Sequence, residues 1–195
     1  MYFRNAIQSF FWGIITAGMS LVLQLFIISS FLSFFQTDQD SEKIMNSLLF
    51  LVIYAFTEEA LKYFIILKKI NILSYGKTFL LNPWIAGIGF SLVEIFIIYQ
   101  RNINENIGLS PGEIFQTAPL HILTFGFLGY HIAIKDKKGL DLSALFWIFI
   151  IHLGYNYSVI NLEKFSPYIN LSIIAFLAML NFYYFLTINK KLASD

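Results

Sequence analysis

Ionisable side chains lie inside long apolar stretches of this sequence, and that combination constrains the fold more than any other feature. The chain has 195 residues, of which 57% are hydrophobic and only 13% are charged. A soluble domain of this length could not bury so much apolar surface, so the composition predicts a membrane protein that is surrounded by the lipid bilayer. The net charge of only +1 argues against a nucleic-acid partner.

Six apolar stretches are each long enough to cross the bilayer, which takes about 20 residues of α-helix. The connections between them are short and no internal repeat divides the chain. The sequence therefore predicts one all-α transmembrane domain over residues 1–195, a polytopic bundle of about six helices. Pro119 marks either a kink or the true start of the fourth helix. The predicted spans are 6–35, 46–67, 83–99, 114–134, 142–160 and 168–188.

The distribution of basic residues predicts the orientation of the bundle, because cytoplasmic loops of membrane proteins carry an excess of lysine and arginine. Nine such residues lie at the two termini and in the second and fourth loops along the chain. The first, third and fifth loops hold only Lys43, Arg101 and Lys164. We therefore expect both termini in the cytoplasm and the acidic loop 36–45 on the outer side. The predicted location is a plasma membrane, which the chain crosses several times.

Polar side chains that would be costly in hydrocarbon occur in four consecutive spans. A charge at the centre of a membrane helix costs roughly 2.5–3.5 kcal/mol, so such residues are functional candidates. With a rise of about 1.5 Å per residue, they fall between the midplane and the outer half of the bilayer, and a shared depth predicts one common site. Lys62 lies on the second span as a supporting charge. The candidates are Glu58, Glu59, Glu94, His121, His152 and Asn156.

The spacing of these residues predicts which of them share a helix face. His152 and Asn156 are four residues apart and lie one above the other. Glu58 and Lys62 have the same spacing, which favours an ion pair, and Glu59 is three residues from Lys62. Because neighbouring side chains point about 100° apart around a helix, at most one of the two glutamates is expected to point straight into the site.

The motifs on these spans resemble the PrsW family of intramembrane proteases and, more distantly, the superfamily of CAAX prenyl proteases and bacteriocin-processing membrane proteases. The second span has the pattern EExxK, from Glu58 to Lys62, and the third has FxxxE, from Phe90 to Glu94. The fourth contributes His121, and the fifth contributes His152 with Asn156. The lysine and the glutamate of the first two motifs distinguish the PrsW branch from the CAAX branch, which usually has arginine and histidine there.

The resemblance implies an intramembrane endopeptidase that uses a glutamate-activated water molecule. Glu58 would be the general base, with Glu59 as the other candidate, and His121 would orient the water. Glu94 would hold His121 or the second carboxylate. His152 and Asn156 would donate hydrogen bonds to the oxyanion. The implied substrate is a membrane-embedded protein or peptide, for example a single-pass protein like an anti-sigma factor.

A metal ion is an alternative to direct glutamate catalysis. Glu58, Glu94, His121 and His152 have the donor atoms that zinc prefers, although the sequence contains no HExxH helix. The superfamily resemblance favours a site that requires no cofactor.

Two other functions fit the same residues. Buried carboxylates and imidazoles also suit a proton- or cation-coupled transporter, although an inverted repeat is not evident. An inactive membrane scaffold that binds single-pass helices is the third reading. His131, near the end of the fourth span, is expected to have no function. The oligomeric state is not determined by the sequence.

Overall fold

The computed structural model describes residues 2–35, 47–74, 78, 81–104, 111–134, 142–162 and 165–194. In these ranges the regular structure is helical, without a strand, as the sequence predicts. The long helices are α1 (Tyr2–Phe35), α2 (Leu48–Ile65), α3 (Asn82–Asn104), α4 (Pro111–Ile134), α5 (Leu142–Asn161) and α6 (Ser166–Ser194).

Five of these helices, all except α2, are long and apolar enough to cross a membrane. The remaining helix carries Glu58, Glu59 and Lys62 within its 18 residues. Many large apolar side chains on the outside of the bundle are exposed, such as Phe26 at 69% and Met179 at 68%. A surface of this kind is stable against lipid, not water. The chain is therefore a multi-pass integral membrane protein.

Most of the helices extend beyond the predicted spans, and the differences in α2 and α4 bear on the site. α2 runs on through one turn of π-helix (Ile66–Ile70) into a last α-helical turn (Asn71–Leu73), so it reaches beyond the predicted end at residue 67. α4 begins at Pro111, which places Pro119 inside the helix and overturns the interpretation of Pro119 as its start. A proline inside a helix removes one backbone donor, which longer helices in a packed bundle can tolerate.

The six helices form a closed ring. α1 packs against α2 and α3, α3 against α4, α4 against α6, α6 against α5, and α5 back against α2. α4 also reaches across the ring to α2 and α5. Side chains that point inward from α2, α4 and α5 are therefore enclosed on all sides.

Glycines set the distances between α1, α3 and α4. A Cβ atom at Gly89 would overlap the backbone carbonyl of Phe10, and one at Gly13 would overlap that of Ala86. A Cβ at Gly87 would lie only 2.6 Å from the Cα of Ile122. Small residues allow such close helix contacts in membranes. The contact at Gly87 brings α3 close to α4 immediately beside His121, and so brings Glu94 within reach of that ring.

Both termini lie at the same end of the bundle. The Asn5 side chain donates a hydrogen bond to the Leu73 carbonyl, at 2.7 Å, so α1 begins where α2 ends. Tyr130 and Ile188, near the ends of α4 and α6, pack into one cluster with Trp84 at the start of α3. The assignment of this end to the cytoplasm remains a prediction. The loop 36–45 and six of the twelve basic residues behind that assignment lie outside the described ranges: Lys43, Lys77, Lys135, Lys137, Lys138 and Lys164.

Candidate functional site

Five of the six candidate side chains, together with Lys62, meet inside the ring of helices. α2 contributes three of them, and α3, α4 and α5 contribute one each. Their side chains are between 0 and 10% exposed, except for one carboxylate at 23%. We call this group the charged cluster, and its members are Glu58, Glu59, Lys62, Glu94, His121 and His152.

Lys62 is the hub of the charged cluster. Its Nζ atom donates to Glu59 Oε1 at 2.7 Å, lies 2.7 Å from His121 Nδ1, and donates to Thr124 Oγ1 at 3.2 Å. The three protons of the ammonium group thus match three acceptors. Nζ also lies 4.6 Å from the centre of the Phe90 ring, within the range of a cation–π contact. Three polar contacts and one aromatic contact therefore stabilise this buried cation.

The ion pair within α2 differs from the predicted one. Lys62 pairs with Glu59, three residues before it, and both side chains are fully buried. Glu58 instead accepts a hydrogen bond from the Gln24 side chain of α1, at 2.9 Å. The rotation of α2 explains the difference, because it turns Lys62 toward α4 and Glu59 toward α5, while Glu58 Oε1 lies on the side of α1.

His152 lies between the two neighbouring glutamates. Its Nδ1 atom is 2.6 Å from Glu59 Oε1, and its Nε2 atom is 3.7 Å from Glu58 Oε2. The expectation that at most one glutamate points into the site is therefore wrong. The ring of His152 is flat and carries its two nitrogens on different edges, so two carboxylates about 100° apart on one helix both reach it.

His121 and Glu94 form the other half of the charged cluster. His121 Nε2 pairs with Glu94 Oε2, and His121 is one of the two partners that the resemblance implies for Glu94. The rings of His121 and His152 meet edge to face, with centroids 5.3 Å apart. Since Glu94 is the most exposed member, the cluster is approached most easily from the side of α3.

Two buried carboxylate oxygens of the cluster lack a hydrogen-bond partner among the described residues: Glu58 Oε2 and Glu59 Oε2. Buried polar atoms are nearly always paired, and leaving one unpaired costs about 1–3 kcal/mol. Of the two glutamates only Glu58 is partly accessible, at 10% of its side chain against 0% for Glu59. Glu58 therefore combines a partly exposed side chain with a buried, unpaired Oε2 atom.

Sequence reasoning missed Gln24 and Thr124. Gln24 is an uncharged residue in the first span, which contains no ionisable side chain. Its spacing from Ser20, to which it donates a hydrogen bond at 3.2 Å, is the signal that would have indicated a polar helix face. Thr124 donates to the carbonyl of His121 at 3.2 Å, which leaves its oxygen free to accept from Lys62.

Asn156 stands apart from the charged cluster. It lies one helical turn beyond His152 on α5 and is half-buried. Among the hydrogen bonds between described residues, none joins Asn156 to the cluster. His131 lies farther along α4 and stacks on Phe127 and Tyr184, away from the other two histidines.

The cluster fits a zinc ion poorly. Glu58, His121 and His152 each offer one ligand atom within 4.8 Å of the others, without the expected Glu94. Zinc needs a ring nitrogen with a free lone pair. Both nitrogens of His121 already have polar partners, Lys62 Nζ at Nδ1 and Glu94 Oε2 at Nε2, so this ring would lose one of them on binding zinc. The other two possible ligands, Glu58 and His152, are fewer than the three protein ligands of a catalytic zinc site.

Comparisons with protein-family models, with curated proteins and with solved structures found no match to this chain.

Proposed function

We propose that this protein is an intramembrane endopeptidase that hydrolyses peptide bonds of membrane-embedded proteins with Glu58 as the general base. The observation that carries the proposal is the buried Glu58 Oε2, which has no hydrogen-bond partner among the described residues and lies 3.7 Å from His152 Nε2, in a side chain that is 10% exposed. An acceptor kept unpaired inside a membrane protein lowers stability, so its retention favours a chemical role.

The proposed reaction needs a general base, an attacking water molecule and a hydrogen-bond donor for the oxyanion. Glu58 takes a proton from water while the water oxygen attacks the peptide carbonyl carbon, and the carbonyl electrons move onto its oxygen. The tetrahedral intermediate collapses, the C–N bond breaks, and the proton on Glu58 passes to the leaving nitrogen. In this proposal the Asn156 amide, one turn from His152 on the same face of α5, donates a hydrogen bond to the oxyanion.

Gln24 supports Glu58 in this role. By donating to Oε1, it fixes the carboxylate rotamer and leaves Oε2 directed toward His152. Such positioning is worth more in an enclosed site than in water, because a base held in one geometry does not need to reorganise during the reaction.

The substrate proposed from the family resemblance is a single-pass membrane protein of the anti-sigma factor type, in a bacterial plasma membrane. Approach from the side of α3 fits such a substrate, since Glu94 is the exposed edge of the cluster. A substrate helix must unwind locally before water can reach its backbone carbonyls, because helical carbonyls are hydrogen-bonded.

Cleavage of single-pass proteins in proteoliposomes tests the proposal. A library of such proteins is incubated with wild type, with Glu58→Gln, with His152→Ala and with His131→Ala as the matched histidine control. New N-termini are mapped by mass spectrometry in ¹⁸O-labelled water, which places one ¹⁸O in each new carboxyl group. We expect cleavage by wild type and His131→Ala only. Equal cleavage by Glu58→Gln would exclude Glu58 as the base.

A proton-coupled transporter is the second candidate. Glu58, His152, Glu59, Lys62, His121 and Glu94 form a nearly continuous chain of titratable groups, which suits a proton relay. The chain lies within one layer of the bundle, however, and a transport path has to reach both surfaces. Proton flux into liposomes that is lost in Glu94→Gln, without proteolysis, would favour this function.

A further inference from the structure

The two histidines of the charged cluster have different polar partners on their two nitrogens. The geometry points to Glu59 and Lys62 as positioning residues that hold His152 and His121 in opposite tautomers: His152 carries its ring proton on Nδ1 and has a bare Nε2, whereas His121 carries its proton on Nε2 and has a bare Nδ1.

The tautomer of His121 follows from Lys62. A lysine ammonium group has three protons and no lone pair, so every polar atom beside it must accept. His121 Nδ1, at 2.7 Å from Lys62 Nζ, therefore carries no proton. The proton of the neutral ring is on Nε2 and is directed at Glu94 Oε2, which accepts it. The contacts of His121 with Lys62 at Nδ1 and with Glu94 at Nε2 therefore both favour the tautomer that has its proton on Nε2.

The tautomer of His152 follows from Glu59. An ionised carboxylate accepts hydrogen bonds and cannot donate, and the ion pair with Lys62 keeps Glu59 ionised. His152 Nδ1, at 2.6 Å from Glu59 Oε1, must therefore carry the ring proton. In the neutral ring Nε2 is then an acceptor, and it faces Glu58 Oε2. One oxygen, Glu59 Oε1, accepts from both Lys62 and His152.

This arrangement assigns separate roles to the groups, and the roles rest on the proposed function. The attacking water donates one hydrogen to Glu58 Oε2 and the other to His152 Nε2, which directs an oxygen lone pair away from both. His152 orients the water as an acceptor, and the role of oxyanion donor that the resemblance implies for it passes to Asn156 alone. Glu59 is fully buried and already accepts two hydrogen bonds, so it positions His152 and is not the base.

The tautomers themselves are measurable without any substrate. The full chain is labelled with ¹⁵N-histidine and reconstituted in lipid nanodiscs, and the imidazole ¹⁵N resonances are recorded at neutral pH. The chain has three histidines, so His→Gln substitution of each in turn assigns the signals, with His131 as the internal reference outside the cluster. We expect protonated Nδ1 with bare Nε2 for His152, and the reverse for His121. The same tautomer in both rings, or a His152 ring with protons on both nitrogens, overturns the inference.

Two adjacent glutamates provide a matched pair of variants. In Glu59→Gln the side chain can present either its oxygen or its amide group to His152 Nδ1, so we expect the single-tautomer signal of His152 to be replaced by a mixture. In Glu58→Gln, Nδ1 keeps its partner, and we expect the wild-type signal. Identical His152 signals in both variants overturn the role of Glu59. If Glu59→Gln fails to fold, the wild-type spectrum still decides.

The same preparations separate this inference from the proposed function. Opposite tautomers in a protein that cleaves no substrate of the library would support the positioning role and overturn the protease. Cleavage that depends on Glu58, by a protein whose two cluster histidines share one tautomer, would support the protease and overturn the positioning role.

Discussion

Two buried polar clusters of this bundle are satisfied in different ways. At the end where α5 meets α6, Asn170 donates to Gln116 at 3.0 Å and to Ser166 at 3.1 Å, and Ser158 donates to its oxygen. We call this the amide cluster. The amide cluster carries no charge, and its buried side-chain atoms have partners. The charged cluster keeps two buried carboxylate oxygens that have no hydrogen-bond partner in the described part of the chain.

The difference separates structural from functional polarity in a membrane. The amide cluster links α4, α5 and α6 and gains interhelical hydrogen bonds, which are worth about 0.6–2 kcal/mol each. If the charged cluster served packing alone, uncharged side chains with paired hydrogen-bonding atoms would be expected beside α2 as well. The charged cluster instead holds three carboxylic side chains and one lysine at a cost in stability, which is expected where reactivity is required.

The largest effect on stability is expected from Lys62→Met. The substitution leaves the carboxylate of Glu59 buried without its cation, and breaking a buried ion pair from one side costs about 3–5 kcal/mol. Reversible unfolding in mixed detergent micelles measures the loss. The double variant Glu59→Gln with Lys62→Met removes both charges and should recover part of it. Equal losses in the single and double variants would mean that the ion pair does not hold the charged cluster together.

A smaller effect is expected from Asn170→Ala in the amide cluster. It removes three hydrogen bonds between neutral groups, so we expect a loss of about 1–2 kcal/mol in the same unfolding assay. The rate of substrate cleavage should stay within about twofold of wild type, because the amide cluster takes no part in the reaction. A rate that falls tenfold or more, with the fold intact, would remove the distinction between the two clusters.

The sequence predicted the helices well and the contacts between them less well. Length and hydropathy define an apolar span, and the short connections define a bundle. The ion pair of Lys62 with Glu59, and not with Glu58, depends on how α2 is rotated against α4, and this rotation is set by packing that one sequence does not reveal. Gln24 was missed for a related reason, since only the structure shows that α1 reaches Glu58.

The smallest effect on stability is expected from Gln24→Leu. Glu58 loses one hydrogen bond to Oε1 and becomes less well positioned, so the cleavage rate should fall about tenfold, corresponding to roughly 1.4 kcal/mol. Stability should change by less than about 1 kcal/mol, because the hydrogen bond is only partly buried. Steady-state cleavage at several substrate densities shows whether the loss is in kcat, as we expect, or in KM. A loss confined to KM would place Gln24 in substrate binding.

The most direct test of the central claim compares Glu58→Gln and Asn170→Ala in one experiment, with cleavage and unfolding measured on the same proteoliposome preparations. The account predicts that Glu58→Gln lowers the cleavage rate by about 10²–10⁴-fold, the usual contribution of a general base, while its stability stays equal to or above wild type. Asn170→Ala should lower the stability and leave the cleavage rate close to that of wild type. A Glu58→Gln protein that is folded and cleaves at the wild-type rate would contradict the account.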